Sequence, residues 1–160
     1  MAQTIDRDLL LHSPVGQDLD EQEFAVLAGL MDRVDLAAGE DLVREGDEVS
    51  KLFILGSGKI NVIGQVNGKE VVLYSMKPGE CAGTRSFVER TPRKVTLRAA
   101  LDSVVWTLEP DAFEALLEPH PRIVYRVMRG LFRQTHANLM RVDADFAQLS
   151  NYINKTGGRY

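Results

Sequence analysis

One cysteine, three histidines and no long apolar run set the first limits on this sequence of 160 residues. Cys81 has no partner for an internal disulfide, which suits a reducing compartment, and a lone Cys on a strand reads as a small buried hydrophobe. The histidines, His12, His120 and His136, lie far apart, and no strand-like stretch carries a His-x-His pair. That disfavours a metal-dependent jelly-roll enzyme, whose ligands must converge on one ion. No Glu-x-x-His pair or nucleophile elbow is present, and the acid pairs Asp18/Asp20 and Glu45/Asp47 sit in turn-like surroundings. Neither an enzymatic activity nor a metal is expected. No apolar run approaches the ~20 residues of a membrane span. The N-terminus lacks the cationic and apolar stretches of a secretory leader. A cytoplasmic location without a membrane partner is therefore expected. The net charge of −4 supplies no basic excess for nucleic acid.

What is present suits one domain spanning residues 1–160, because a hydrophobic content of 44% is enough for a single core. Residues 1–34 read as helical. Asp20 and Glu23 have capping-box spacing ahead of Phe24, Leu27, Leu30 and Met31, which would share one helix face. Over residues 35–108 the pattern changes to short apolar runs between glycines. Leu52–Leu55, Lys59–Ile63, Val71–Tyr74, Val95–Arg98 and Val104–Leu108 read as strands, and Asn67-Gly68 as a hairpin turn. Many short, evenly spaced strands point to a β jelly roll in an α+β chain. Residues 110–155 read as helical again, with Pro119 and Pro121 marking a break before a long last helix. The tail from Thr156 to Tyr160 reads as frayed.

The segment from Pro78 to Thr96 carries the strongest functional signal. A Gly-led turn that opens a helix presents unpaired backbone N–H groups to an anion. Arg93, ten residues beyond Gly83, can close over the same anion with a two-pronged set of donors. The segment therefore reads as a candidate phosphate pocket.

Its residues also resemble the phosphate-binding cassette of the cyclic nucleotide-binding domain family. The matching positions are Ala82-Gly83-Thr84-Arg85-Ser86 and Pro92-Arg93-Lys94-Val95-Thr96. The family's earlier signature is echoed by Ala38-Gly39-Glu40, Leu42–Asp47 and Leu52–Gly58, with Val49 where the family prefers a smaller residue. The resemblance runs from about Phe24 to the end of the last helix and implies the jelly roll with flanking helices. It implies that Arg93 holds a cyclic phosphate. It also implies that the family's ribose-binding Glu is missing, because Thr84 stands in its place. Gly83, Thr84, Arg85, Ser86, Arg93, Lys94 and Thr96 are the candidate ligand residues in the cassette. Thr135 and Asn138 on the last helix are candidates to cap the base.

Thr84 is shorter than Glu and uncharged, while Arg85 and Lys94 add cations where the family has apolar or small residues. Three readings stay open. The site binds cyclic AMP or cyclic GMP mainly through the phosphate. It binds a more anionic ligand such as a cyclic dinucleotide. Or it binds none, with Arg85 paired to Glu80 or Glu89, and the chain is a dimerisation or docking scaffold.

In the last helix Val124, Met128, Leu131, Thr135, Leu139, Val142, Phe146, Leu149 and Ile153 recur every three or four residues. Such a stripe suits pairing with a second copy, as in bacterial regulators of this family. Arg122, Arg126, Arg129 and Arg133 read as a solvated face. A winged helix-turn-helix needs on the order of 50 more residues, so no DNA-binding module is expected in this chain. The alternative is that it is the effector half of a longer transcription regulator. The expected function is ligand sensing relayed through the last helix.

Overall fold

The run Leu52-Phe-Ile-Leu55 is apolar at every position because the strand it forms is covered on both faces. The computed structural model describes residues 3–157, with side chains over residues 3–151. It begins with helices α1 (Arg7–His12) and α2 (Glu21–Ala28). Six strands follow: β1 (Met31–Leu36), β2 (Asp41–Val43), β3 (Leu52–Ser57), β4 (Ile60–Val66), β5 (Lys69–Met76) and β6 (Cys81–Ala82). Helix α3 (Thr84–Glu89) interrupts the strands before β7 (Thr96–Ala99) and β8 (Ser103–Leu108). Helices α4 (Pro110–Glu114) and α5 (Pro121–Gly157) end the chain. The strands form two four-stranded antiparallel sheets, ordered β1-β8-β3-β6 and β2-β7-β4-β5, which is the expected jelly roll.

Alternation along β3 divides the core in two. Leu52 and Ile54 join Trp106 and Leu108 of β8 under the helices, with Leu10, Leu27, Ile123 and Val127. Phe53 and Leu55 turn inward with Val105, Ile60, Met76 and Leu97, between the sheets. The hairpin β4–β5 closes through Asn67 and Gly68, both at positive φ, as a two-residue turn requires. The capping box at the start of α2 is formed in full: Glu23 N–H donates to Asp20, and Asp20 N–H donates to Glu23.

The strands start earlier than the sequence pattern suggests. Gly29 caps α2, and Met31–Leu36 pairs antiparallel with all of β8. Met31 therefore belongs to a strand, not to the face of α2, and the helical segment ends before residue 34. Spacings of three and four residues persisted into Met31 because a buried strand end also needs an apolar residue.

Helix α5 has two halves. Ile123, Val127 and Leu131 are buried against the first core, each contributing about 1.5–3 kcal/mol by area. Val124 and Met128 only border that core. Beyond Leu131 the helix leaves the barrel, with Phe132, Leu139, Val142, Phe146 and Leu149 all exposed. The arginine face is not a solvated one throughout. Arg126 pairs with Glu23, and Arg133 donates to Asp18 at 3.0 Å and to Gln17 at 2.7 Å. These residues tie α5 to the N-terminal segment. Gly130 permits the close approach, since a Cβ there would collide with the Pro14 carbonyl. The side chain of Ile153 and the end of the tail, residues 158–160, lie outside the described residues; Thr156 and Gly157 close α5.

Candidate functional site

The turn before α3 places the cassette. Gly83 precedes the helix at φ 85°, a left-handed conformation that costs glycine little. The Arg93 backbone is pinned to the turn after β2: its N–H donates to Asp47 O at 2.9 Å, and Gly46 N–H donates to Arg93 O at 2.8 Å. Those bonds aim the side chain inward, where it is 5% exposed. Its guanidinium lies over the Phe53 ring, 4.8 Å from the centroid. It donates to the carbonyls of Lys51 and Gly83, the latter at 3.4 Å. Nε has no partner. A Cβ at Gly83 would collide with the guanidinium, so only glycine leaves this space open.

Two carbonyls do not neutralise a buried cation. Burial pushes the Arg93 guanidinium down to about 10, offset in part by Asp47, which leaves it charged at neutral pH. The Asp47 carboxylate is engaged elsewhere, accepting from Arg44 N–H at 2.8 Å. The site is thus a concealed positive charge with a spare donor, and its chemistry fits a phosphate oxygen.

The other cassette residues are distributed differently. Thr84 is half-buried and Ser86 is buried, both in the first turn of α3. Arg85 faces solvent and pairs with Glu89 at 3.4 Å, not with Glu80. Lys94 is exposed. Thr96 accepts from Glu45 N–H at 3.1 Å and so braces the neighbouring turn.

A cavity of ≈ 710 Å³ begins beside Ala82 and runs between β4, β5, α1 and α5. Asn138 lines it and Thr135 does not. Asn138 accepts from Arg141 at 2.6 Å and from Gln134 at 3.1 Å, and all three lie on the cavity wall. Also on the cavity wall, Tyr74 OH donates to Glu80 at 2.6 Å. Tyr74 and Arg141 escaped the sequence reading, and Glu80 entered it only as a partner for Arg85. The one local signal was an acid directly after the Pro78-Gly79 turn, and the convergence itself needs the folded topology.

The sequence model of the cyclic nucleotide-binding domain matches residues 33–120, more than half of the chain. This chain belongs to the cyclic nucleotide-binding domain family. A cAMP-dependent protein kinase regulatory subunit of Emericella nidulans is 30% identical over 113 residues, 71% of this chain and 27% of that protein. The domain therefore spans about a quarter of that relative's length. The N-terminal domain of a transcriptional regulator from Streptomyces coelicolor superposes with a TM-score of 0.74 at 26% identity, covering 82% of this chain and 94% of that one. The regulatory domain of Toxoplasma gondii PKA, solved with cAMP, gives 0.63 at 29% identity over 68% and 41% of the two chains. Among the described residues of this cyclic nucleotide-binding domain, no helix is long and apolar enough to cross a membrane.

Proposed function

We propose that this domain senses a cyclic nucleotide, anchored by its phosphate on Arg93, and relays occupancy through α5. The observation that carries the reading is the buried guanidinium with no carboxylate hydrogen-bonded to it and with an unpartnered Nε. An uncompensated buried charge is costly, and an anion removes that cost. Gly83 supports the same reading by keeping side-chain atoms away from the guanidinium. Thr84 offers a ribose no carboxylate, so the phosphate carries most of the affinity. Asn138 on the cavity wall is where α5 would meet the base. Relay requires the ligand to bind one arrangement of α5 better than another.

The exposed half of α5 favours a second element of the proposal, a homodimer. Leu139, Val142, Phe146 and Leu149 share a stripe that nothing in the chain covers among the described residues. Two such helices laid along each other would bury it.

Calorimetric titration with cyclic AMP, cyclic GMP and a cyclic dinucleotide tests the ligand. Arg93→Ala should weaken the preferred ligand by about two decades, the effect of roughly 2–3 kcal/mol for a charge-assisted phosphate contact. Unchanged affinity in Arg93→Ala overturns the assignment. Absence of binding by the wild type favours the scaffold reading.

A further inference from the structure

The cavity carries two oppositely charged groups that the phosphate contact does not use. Glu80 sits on one wall and Arg141 on another. Each is held by a neighbour. Tyr74 OH fixes one Glu80 oxygen at 2.6 Å, and Lys77 N–H reaches the other at 3.3 Å. Arg141 is steadied by Asn138 at 2.6 Å. A carboxylate oxygen has two acceptor sites, so Glu80 keeps capacity on both oxygens. Arg141 has five donors and spends one on Asn138. Tyr74, Glu80, Asn138 and Arg141 thus line one cavity, with a carboxylate and a guanidinium both open to it.

The ladder between β3 and β6 sets how far these groups stand from Arg93. The guanidinium rests on Phe53, whose strand partner is Ala82. Glu80 is anchored two residues further along β3, where Leu55 N–H donates to its carbonyl at 3.0 Å. Two residues of strand are about 7 Å, and the Glu80 side chain starts from there. A ribose hydroxyl stays beside the cyclic phosphate, whereas the base stands off by the width of the sugar. Glu80 is therefore at the base end of the site, and Arg141 lines the same cavity.

We propose that Glu80 and Arg141 make this domain selective for guanine, with Glu80 accepting from the base's adjacent N1–H and N2–H and Arg141 donating to O6. The proposal rests on the cyclic nucleotide reading above. Guanine presents an acceptor beside two donors along that edge, which matches a guanidinium beside a carboxylate. Adenine presents one donor and then the N1 lone pair, which a carboxylate repels. Tyr74 is a positioning residue, holding the carboxylate toward the cavity.

The test compares 3′,5′-cyclic GMP, cyclic IMP and cyclic AMP by calorimetry on the wild type, Glu80→Gln, Tyr74→Phe and Arg141→Ala. The wild type should favour cyclic GMP over cyclic AMP by roughly ten- to a hundredfold, the yield of a charge-assisted pair. Cyclic IMP, which keeps N1–H and O6 and lacks the amino group, should fall between. Glu80→Gln should erase the preference by weakening cyclic GMP while cyclic AMP, freed of the repelling carboxylate, binds at least as well as to the wild type, which also shows that the variant is folded. Tyr74→Phe should narrow the ratio of the two affinities, and Arg141→Ala should weaken cyclic GMP and cyclic IMP together. Equal binding of cyclic AMP and cyclic GMP, untouched by Glu80→Gln, overturns the guanine proposal and leaves the cyclic nucleotide reading standing. Equal weakening of all three ligands by Glu80→Gln overturns it too, since Glu80 would then serve the shape of the site. Binding of none of the three by the wild type overturns both.

Discussion

Arg93 and Arg98 lie five residues apart and live in opposite surroundings. Arg98 is saturated: Asp41 accepts from it at 2.7 Å and Glu70 at 2.8 Å. Those carboxylates, Glu70 first, hold its guanidinium above the ordinary arginine range. Arg93 is more deeply buried, meets only carbonyl oxygens and an aromatic face, and is pushed down to about 10. An arginine that serves the sheet is supplied with its counter-charges by the chain. An arginine buried without them fits a counter-charge supplied from outside. On the proposed reading, the β2–β7–β4–β5 sheet around Arg98 serves stability and the cassette around Arg93 serves ligand binding.

Replacing each arginine breaks the comparison most directly. Arg93→Ala should lose about two decades of ligand affinity, as titration reads it. Arg98→Ala should leave affinity within a factor of about two while lowering the thermal midpoint, because half-buried Asp41 would lose its chief partner. A loss of affinity in Arg98→Ala comparable to that in Arg93→Ala would merge the two roles.

Thr84→Glu sharpens the contrast. If the new carboxylate reaches a ribose hydroxyl, cyclic AMP affinity should rise by about one to two decades. Arg85→Leu as a companion removes the nearest exposed cation that could divert it. A fall in affinity in both variants would show the carboxylate neutralising Arg93, making it resemble Arg98.

Much of the fold and the cassette was legible in the sequence, whereas the pairing that sets Arg98 apart from Arg93 was not, and the limit was distance along the chain. The apolar run Leu52–Leu55, the Asn67-Gly68 turn and the Asp20–Glu23 box are local, and each forms the element its residues favour. The Gly83 and Arg93 pair could be read because a short turn and helix connect them. The partners of the α5 arginines could not, since Asp18 and Glu23 are more than a hundred residues away. The Glu80–Tyr74 and Arg141–Asn138 pairs are each local, but their meeting was hidden, because only the folded cavity between a hairpin and the last helix brings the two pairs together.

A smaller effect concerns the far half of α5. Leu139→Glu with Phe146→Glu should abolish the proposed dimer in light scattering and leave the monomer folded, because both side chains are exposed in the single chain. A monomeric wild type at micromolar concentration removes the dimer. The smallest expected effect is on acid stability. Hydrogen bonds from Arg98 and then Arg44 hold the Asp41 carboxyl below the usual range. Its folded pKa is therefore depressed. The stability it contributes is present above the ordinary carboxylate range and is lost as pH falls through that range and below it. Asp41→Asn should flatten this acid limb in a pH series of unfolding midpoints, and Arg93→Ala should leave it unchanged.

Equilibrium unfolding of the wild type and Arg93→Met, each with and without saturating cyclic nucleotide, tests the central claim most directly. Methionine keeps much of the volume over Phe53 and removes the charge. The account predicts a ligand-free variant at least as stable as the wild type, because a buried cation without a paired carboxylate has been removed, and far less stabilisation than the wild type gains at the same ligand concentration. A variant that unfolds much more easily than the wild type, yet is still stabilised by the nucleotide to the same degree, would contradict it.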